Sequence, residues 1–384
     1  MGLLCVLASR GIRSGTAYEL TTRDTDLQLG LVGLTNAGKT ALFNLVTGGQ
    51  AEVAPYPFTT REPNQGVADV PDPRIDAIAD VQDIPNRVCA QVEVVDIVGL
   101  SEGAGKGEGM GGAALGRIRE LEATVHVVRA FANAEVPHPL ERIDPLGDME
   151  CADTELILAD TEQVARREEK VQKGVRAGDV NAKAEAAALE AMTAWLADGK
   201  PVRTMNDDAA IAVGLAMGLL TAKPTLYLLN TDDPGDPPAD IAAYAKSQGA
   251  EVLALPVGVE LELAEMDPAD AAEFAEEMGL GTTRGAAAVI QGGYRLLDLV
   301  TFFTGSGPPE ARAWPIPRGT RADAAAGKIH SDMERGFIRA EVVAWDKLVE
   351  CGSFAKAREQ ALARMEGKDY IVQEGDVMQI RFNV

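Results

Sequence analysis

The sequence predicts an α/β protein. A mostly parallel, doubly wound sheet carries an antiparallel helical hairpin and precedes a smaller α+β module. Three observations predict it. Short apolar runs alternate with stretches of helical spacing from residue 28 onward, the pattern of a sheet covered on both faces. An Ala-, Glu-, Lys- and Arg-rich tract of helical periodicity separates the third run from the fourth. Beyond about residue 300, β-rich pieces divided by glycine turns surround one helical stretch.

Residues 1–26 carry no clear periodicity and read as an extension. The first strand, Gln28–Gly33, runs straight into a glycine-rich turn, and Thr40–Val46 then has helical spacing. A second strand, Val92–Ile97, ends in another glycine-rich loop. The amphipathic stretch Leu115–Leu121 leads to a third strand, Val125–Arg129. Next come two helices, Thr154–Val175 and Ala182–Leu196, with Leu156, Val164, Val171 and Val175 at helical spacing. Gly178-Asp179 marks their reversal. Further strands are expected at Thr225–Leu229 and Glu251–Pro256. In the tail, Ala311–Ile316 and Val377–Phe382 are strands around a helix near Arg321–Ile329. The expected division is one domain over 27–298, with the hairpin at about 140–205, and a second over 299–384.

Composition narrows the class. At 384 residues, 46% hydrophobic and 25% charged, the chain is too long for one ordinary core and too apolar for wholesale disorder. No apolar run approaches the ~20 residues of a membrane span. The stretch Gly2–Ala8 is short and lacks a basic lead, so no secretory signal is expected. Four cysteines lie far apart without a C-x-x-C pair, which excludes a legible disulfide framework or zinc motif. The expected compartment is the cytoplasm. A formal charge of −23 argues against non-specific nucleic-acid binding, DNA included. Residues 310–384 hold 12 of the 36 basic and 12 of the 59 acidic residues, so the whole acidic excess precedes them. If any part meets RNA, that tail does so at least electrostatic cost.

The chemistry is concentrated after the first strand. Gly33-Leu-Thr-Asn36-Ala37-Gly38-Lys39-Thr40 fits G-x-x-x-x-G-K-[S/T] in full, with a strand before and a helix after. Its glycines let backbone N–H groups, through Ala41, face phosphates at a positive helix end. Lys39 is expected to bridge β- and γ-phosphate oxygens, and Thr40 to put its hydroxyl on Mg²⁺. Asp96-Ile-Val-Gly99 closes the second strand as D-x-x-G, with Asp96 toward Mg²⁺ and the Gly99 N–H toward the γ-phosphate. Thr60, in the loop Pro55–Asn64, completes the metal shell in this reading. Leu100 stands where a water-orienting glutamine is usual, so slow turnover or an unconventional catalytic group should follow. The run Gly103–Gly112 is read as a second mobile switch.

Base recognition falls to Asn230-Thr231-Asp232-Asp233. Asn230 and Asp233 fit N-K-x-D, but Thr231 replaces the lysine, and Pro256-Val-Gly258 stands where S-A-K is customary. Neither departure favours guanine.

Together these residues resemble the YchF subfamily of Obg-like ATPases, a branch of the translation-factor P-loop NTPases. The likeness spans roughly Leu27 to Val384 and rests on GLTNAGKTALFN, PYPFTTREPNQG, VDIVGLSEGAGKGEGMG, HVVRAF and DTELILAD, with RAWPIPRGT, AAGKIHSDMERGFIRAEV and EGDVMQIRFNV in the tail. The resemblance implies an OBG-type G domain with a helical hairpin, a C-terminal TGS domain, ATP usually favoured over GTP, and association with the ribosome or its RNA. It also implies a hydrolytic histidine on the loop after HVVR, a position that His138 occupies between Pro137 and Pro139. His126, inside a strand, is read as a satisfied core residue, and His330 receives no chemical role. Asn36 stands where related potassium-dependent NTPases place a K⁺-coordinating asparagine. Asp233 is one methylene shorter than the family's glutamate and leans back toward guanine.

The expected activity is Mg²⁺-dependent hydrolysis of ATP. An Obg-type GTP switch and a nucleotide-gated ribosome-binding module with incidental hydrolysis are the alternatives.

Overall fold

The computed structural model describes residues 28–49, 51, 63–97, 99, 111–139, 141–280, 285–305 and 310–383. Its strands are β1 (Gln28–Val32), β2 (Asn64–Val70), β3 (Asn86–Val88), β4 (Ala90–Asp96), β5 (Ala123–Ala130), β6 (Thr225–Thr231) and β7 (Glu251–Leu255). Then come β8 (Leu299–Thr304), β9 (Glu310–Pro317), β10 (Phe337–Ala344), β11 (Arg364–Glu366) and β12 (Asp376–Phe382).

The first sheet has the order β2-β4-β1-β5-β6-β7, and its pairings β1–β4, β1–β5, β5–β6 and β6–β7 are all parallel. Its central strands are nearly all apolar because helices cover both faces. Val32, Val95, Ile118, Leu121 and Leu156 form one buried cluster against it, and Val128, Tyr227, Leu229 and Ile241 form another. Register matters for function. Leu31 pairs with Asp96, so the acid that ends β4 lies beside the turn that follows β1. Open α/β sheets bind ligands at this carboxyl edge.

The hairpin consists of helices Pro145–Arg176 and Val180–Ala197. The first begins well before the periodic region, because Asp144 accepts the Gly147 N–H at 3.0 Å and Pro145 suits the first helical position. Gly178, at φ 84°, makes the left-handed step that ends it. Asp179 then caps the second helix through the N–H groups of Asn181 and Ala182. Val164, Val171, Leu189, Met192 and Leu196 are buried in a cluster of their own with Val202 and Leu219. At roughly 1.5–3 kcal/mol per buried aliphatic side chain, this cluster holds the hairpin closed.

Two compact units result. One takes in the described residues between 26 and 68 and between 93 and 296; the other joins 69–92 to 297–384. The division expected from the sequence, 27–298 and 299–384, puts 69–92 in the first domain. In the structure β3 pairs in parallel with β9, Asn86 opposite Glu310, and completes a second sheet of order β11-β10-β12-β8-β9-β3. Arg74, on the helix Pro73–Val81, pairs with Asp72 at 2.6 Å and Glu374 at 2.5 Å and lies 5.2 Å over the Phe303 ring. A three-residue strand reading Asn-Arg-Val has no alternation to betray it, and pairing partners are invisible to periodicity. Under the helix Ala322–Ile329, Val300, Phe302, Ile316, Phe337, Val342 and Met378 make this unit's core.

Candidate nucleotide-binding site

The turn after β1 is built for close backbone approach. Gly33 sits at φ 143°, and a Cβ there would collide with the Val127 carbonyl on the neighbouring strand. Gly38, at φ 96°, leaves no room for a Cβ beside the Asn230 amide. Asn36 takes the left-handed region itself, at φ 63°. The helix Lys39–Thr47 starts immediately, so its free N–H groups open onto the turn.

Lys39 is buried and folds back onto that turn, its Nζ donating to the carbonyls of Leu34 at 2.8 Å and Gly33 at 3.2 Å. Burial holds its amine down at about 8, while Asp96 pulls it back up. Thr40 Oγ1 donates to Asp96 Oδ2 at 2.7 Å, and Asn64 Nδ2 donates to the same oxygen at 3.2 Å. A hydroxyl against a buried carboxylate is a hard oxygen pair, suited to Mg²⁺. Gly99 passes so near the phosphate loop that a Cβ would lie 2.8 Å from Thr35 Cα.

Asn230 ties the far end together. Buried at the end of β6, it donates to the Ala37 carbonyl at 3.1 Å and accepts the Val257 N–H at 3.3 Å. Thr231 turns its hydroxyl onto the Asp233 carbonyl at 2.8 Å, and Asp233 is exposed. Ala41, half-buried, lies in the first helical turn. Thus Gly33, Asn36, Ala37, Gly38, Lys39, Thr40, Asp96, Gly99 and Asn230 converge on one edge of the sheet. Thr60, Leu100 and most of the run Gly103–Gly112 lie outside the described residues.

The loop after β5 comes down on this edge. Asn36 Nδ2 donates to the Pro137 carbonyl at 2.8 Å. Arg129 shapes the loop from beneath, donating to the carbonyls of Val136 at 2.9 Å, Asn133 at 3.1 Å and Phe131 at 3.3 Å. Asp232 accepts the Ala132 N–H at 2.9 Å, so the base-end turn and this loop are joined. The His138 side chain, only 5% exposed, sets Nε2 2.7 Å from Asp148 Oδ2. The sequence does not single out Asp148, nor does it assign these contacts to Arg129, Asp232 and Asn64. The only signal was Asp144-Pro145, a helix start that puts Asp148 in the first turn.

The other two histidines are structural. His126 is buried with its ring tilted against Tyr227 at 5.2 Å, and burial holds it down at about 4. The expectation of a satisfied core residue needs one correction: its Nδ1 has no hydrogen-bond partner among the described residues. His330 caps the short helix Ser331–Arg335, its Nδ1 accepting the Asp332 N–H at 3.1 Å.

Comparison with known proteins places this geometry. A family model described as "50S ribosome-binding GTPase" matches residues 28–177, and one described as "Protein of unknown function (DUF933)" matches 299–383. The "Ribosome-binding ATPase YchF" of Pasteurella multocida is 43% identical over 361 residues, covering 92% of this chain and 99% of the relative. This chain belongs to the YchF family. Its YchF relative in Bacillus subtilis is 40% identical over 366 residues, covering 93% of this chain and all of that protein. The solved YchF GTPase of Schizosaccharomyces pombe superposes with a TM-score of 0.79 at 29% identity, covering 94% of this chain and 99% of that one. The YchF fold, a P-loop domain with a C-terminal family-specific unit, is therefore the fold of this chain.

Proposed function

We propose that this protein hydrolyses ATP to ADP and phosphate in a Mg²⁺-dependent reaction and associates with the ribosome. One observation carries the chemistry. The phosphate loop with Lys39, the Thr40–Asp96 pair and the loop bearing His138 meet at one sheet edge. Ribosome association is supported by the bacterial relatives, which are named ribosome-binding ATPases. Its charge-balanced sequence makes 310–384 the segment that meets ribosomal RNA at least electrostatic cost.

In this reading backbone N–H groups from Gly33 to Ala41 hold the phosphate oxygens, and Lys39 leaves its two carbonyls to neutralise the β- and γ-phosphates. Thr40 and Asp96, with Thr60 as the sequence expects, would hold Mg²⁺, and the ion would neutralise charge on the phosphate oxygens. Neutral His138 takes a proton from the attacking water as the bond from the γ-phosphorus to the ADP oxygen breaks. Asn36 would be the ligand for K⁺, whose charge would serve where other NTPases use an arginine. Asn230 and Thr231 read adenine through backbone groups.

A GTP switch remains a second reading because Asp233 keeps an exposed carboxylate at the base end. Phosphate release under multiple turnover, with ATP or GTP and with or without ribosomes, tests the proposal. Release from ATP that ribosomes alter supports it. Release from GTP alone selects the switch, and an absence of turnover selects a nucleotide-gated binding module.

A further inference from the structure

The imidazole of His138 and the carboxylate of Asp148 form a nearly buried couple, 5% and 4% exposed, with Nε2 and Oδ2 2.7 Å apart. Both partners sit on held backbone. Arg129 grips three carbonyls of the loop, Asn36 grips a fourth at Pro137, and the Asp148 N–H donates to the Asp144 carbonyl at 2.9 Å. The second oxygen, Asp148 Oδ1, is buried without a hydrogen-bond partner among the described residues, so the polar bonding seen for this side chain goes to His138. Leaving a buried carboxylate oxygen unsatisfied is costly, and an ordinary helix-start aspartate would turn to solvent or cap the helix. Here Asp144 already does the capping.

From this geometry we infer that Asp148 is a positioning residue for hydrolysis, fixing the tautomer and aim of His138. The inference rests on the catalytic reading of His138 given above. A carboxylate that accepts from Nε2–H leaves Nδ1 as the basic nitrogen, the logic by which an aspartate serves a base histidine in hydrolytic triads. No covalent step involves Asp148; it accepts one hydrogen bond before and after proton transfer and stabilises the imidazolium between. The charged groups that also face Asp148 are Arg142 and Asp144 beside it and Arg129 from β5. They set the absolute position of any pH limb but are common to all variants below.

The test is single-turnover ATP hydrolysis by the full-length protein from acid to alkaline pH, with ATP affinity and thermal unfolding measured on each variant. Asp148→Asn is near-isosteric but can present an amide donor to Nε2 and so favour the wrong tautomer. It should slow hydrolysis by at least about ten-fold, with ATP affinity unchanged. Its acid limb should move down by roughly one pH unit, because a base without its carboxylate loses protons more readily. Asp148→Glu should recover part of the rate. In a His138→Ala background, Asp148→Asn should cost nothing more. Wild-type rate and an unmoved acid limb in Asp148→Asn, with His138→Ala slow, would overturn this inference alone. Full-rate hydrolysis by His138→Ala would overturn the reading of His138 and this inference with it.

Discussion

Asn36 donates its side-chain amide to the Pro137 carbonyl at 2.8 Å, so the phosphate loop and the loop carrying His138 are one hydrogen-bonded assembly. An event at the phosphates therefore reaches the residue next to His138 without any intermediary. A cation bound through Asn36 would act at this junction. Turnover should be faster in potassium than in sodium at equal ionic strength, and Asn36→Ala should abolish the difference. Equal wild-type rates in the two salts would remove K⁺ from the account.

Lys39 contributes a charge-assisted contact of roughly 1.5–3 kcal/mol to bound triphosphate. Its loss in Lys39→Ala should weaken affinity by about ten- to hundred-fold in calorimetry. A pH dependence follows from its burial. The free protein holds this amine at about 8, and bound phosphates favour the charged form, so nucleotide binding takes up a proton. Affinity should hold below that value and fall as pH rises through it, by up to about tenfold per unit. Flat affinity across the alkaline range would show that Lys39 stays charged throughout.

Leu189 is fully buried in the hairpin's own cluster. Leu189→Ala should destabilise the fold by about 2–5 kcal/mol in denaturant unfolding, with ATP affinity nearly unchanged below the transition. A loss of affinity in the folded variant would mean that the hairpin's packing reaches the phosphate loop.

The sequence made the phosphate cradle legible because its chemistry fixes residue types at fixed spacing. Gly33, Gly38 and Lys39 have no chemically equivalent substitutes there, only serine could replace Thr40, and register sets Asp96 beside them. The hairpin was legible because Val164, Val171 and Val175 follow a 3.6-residue period along one helix. Long-range pairing was not. Nothing in Asn86-Arg87-Val88 announces β9 as its partner, and nothing in Asp148 announces His138. Those relationships come from the chain's path through space, which no local pattern encodes. Asn230 shows the intermediate case: its motif marked it for base recognition, while the structure gives its side chain to Ala37 and Val257.

We propose that this edge of the sheet is an ATP site, although the base-end residues do not spell out adenine. Thr231 bonds within its own turn, so it offers no lysine-like support to a base, while Asp233 keeps an exposed carboxylate. The most direct measurement is calorimetric titration of the full-length protein with ATP and, separately, GTP in the presence of Mg²⁺. ATP should bind at least as tightly as GTP, with a narrow gap between them that Thr231→Lys shifts toward guanine. A protein that holds GTP tightly and gives no heat with ATP would contradict the account.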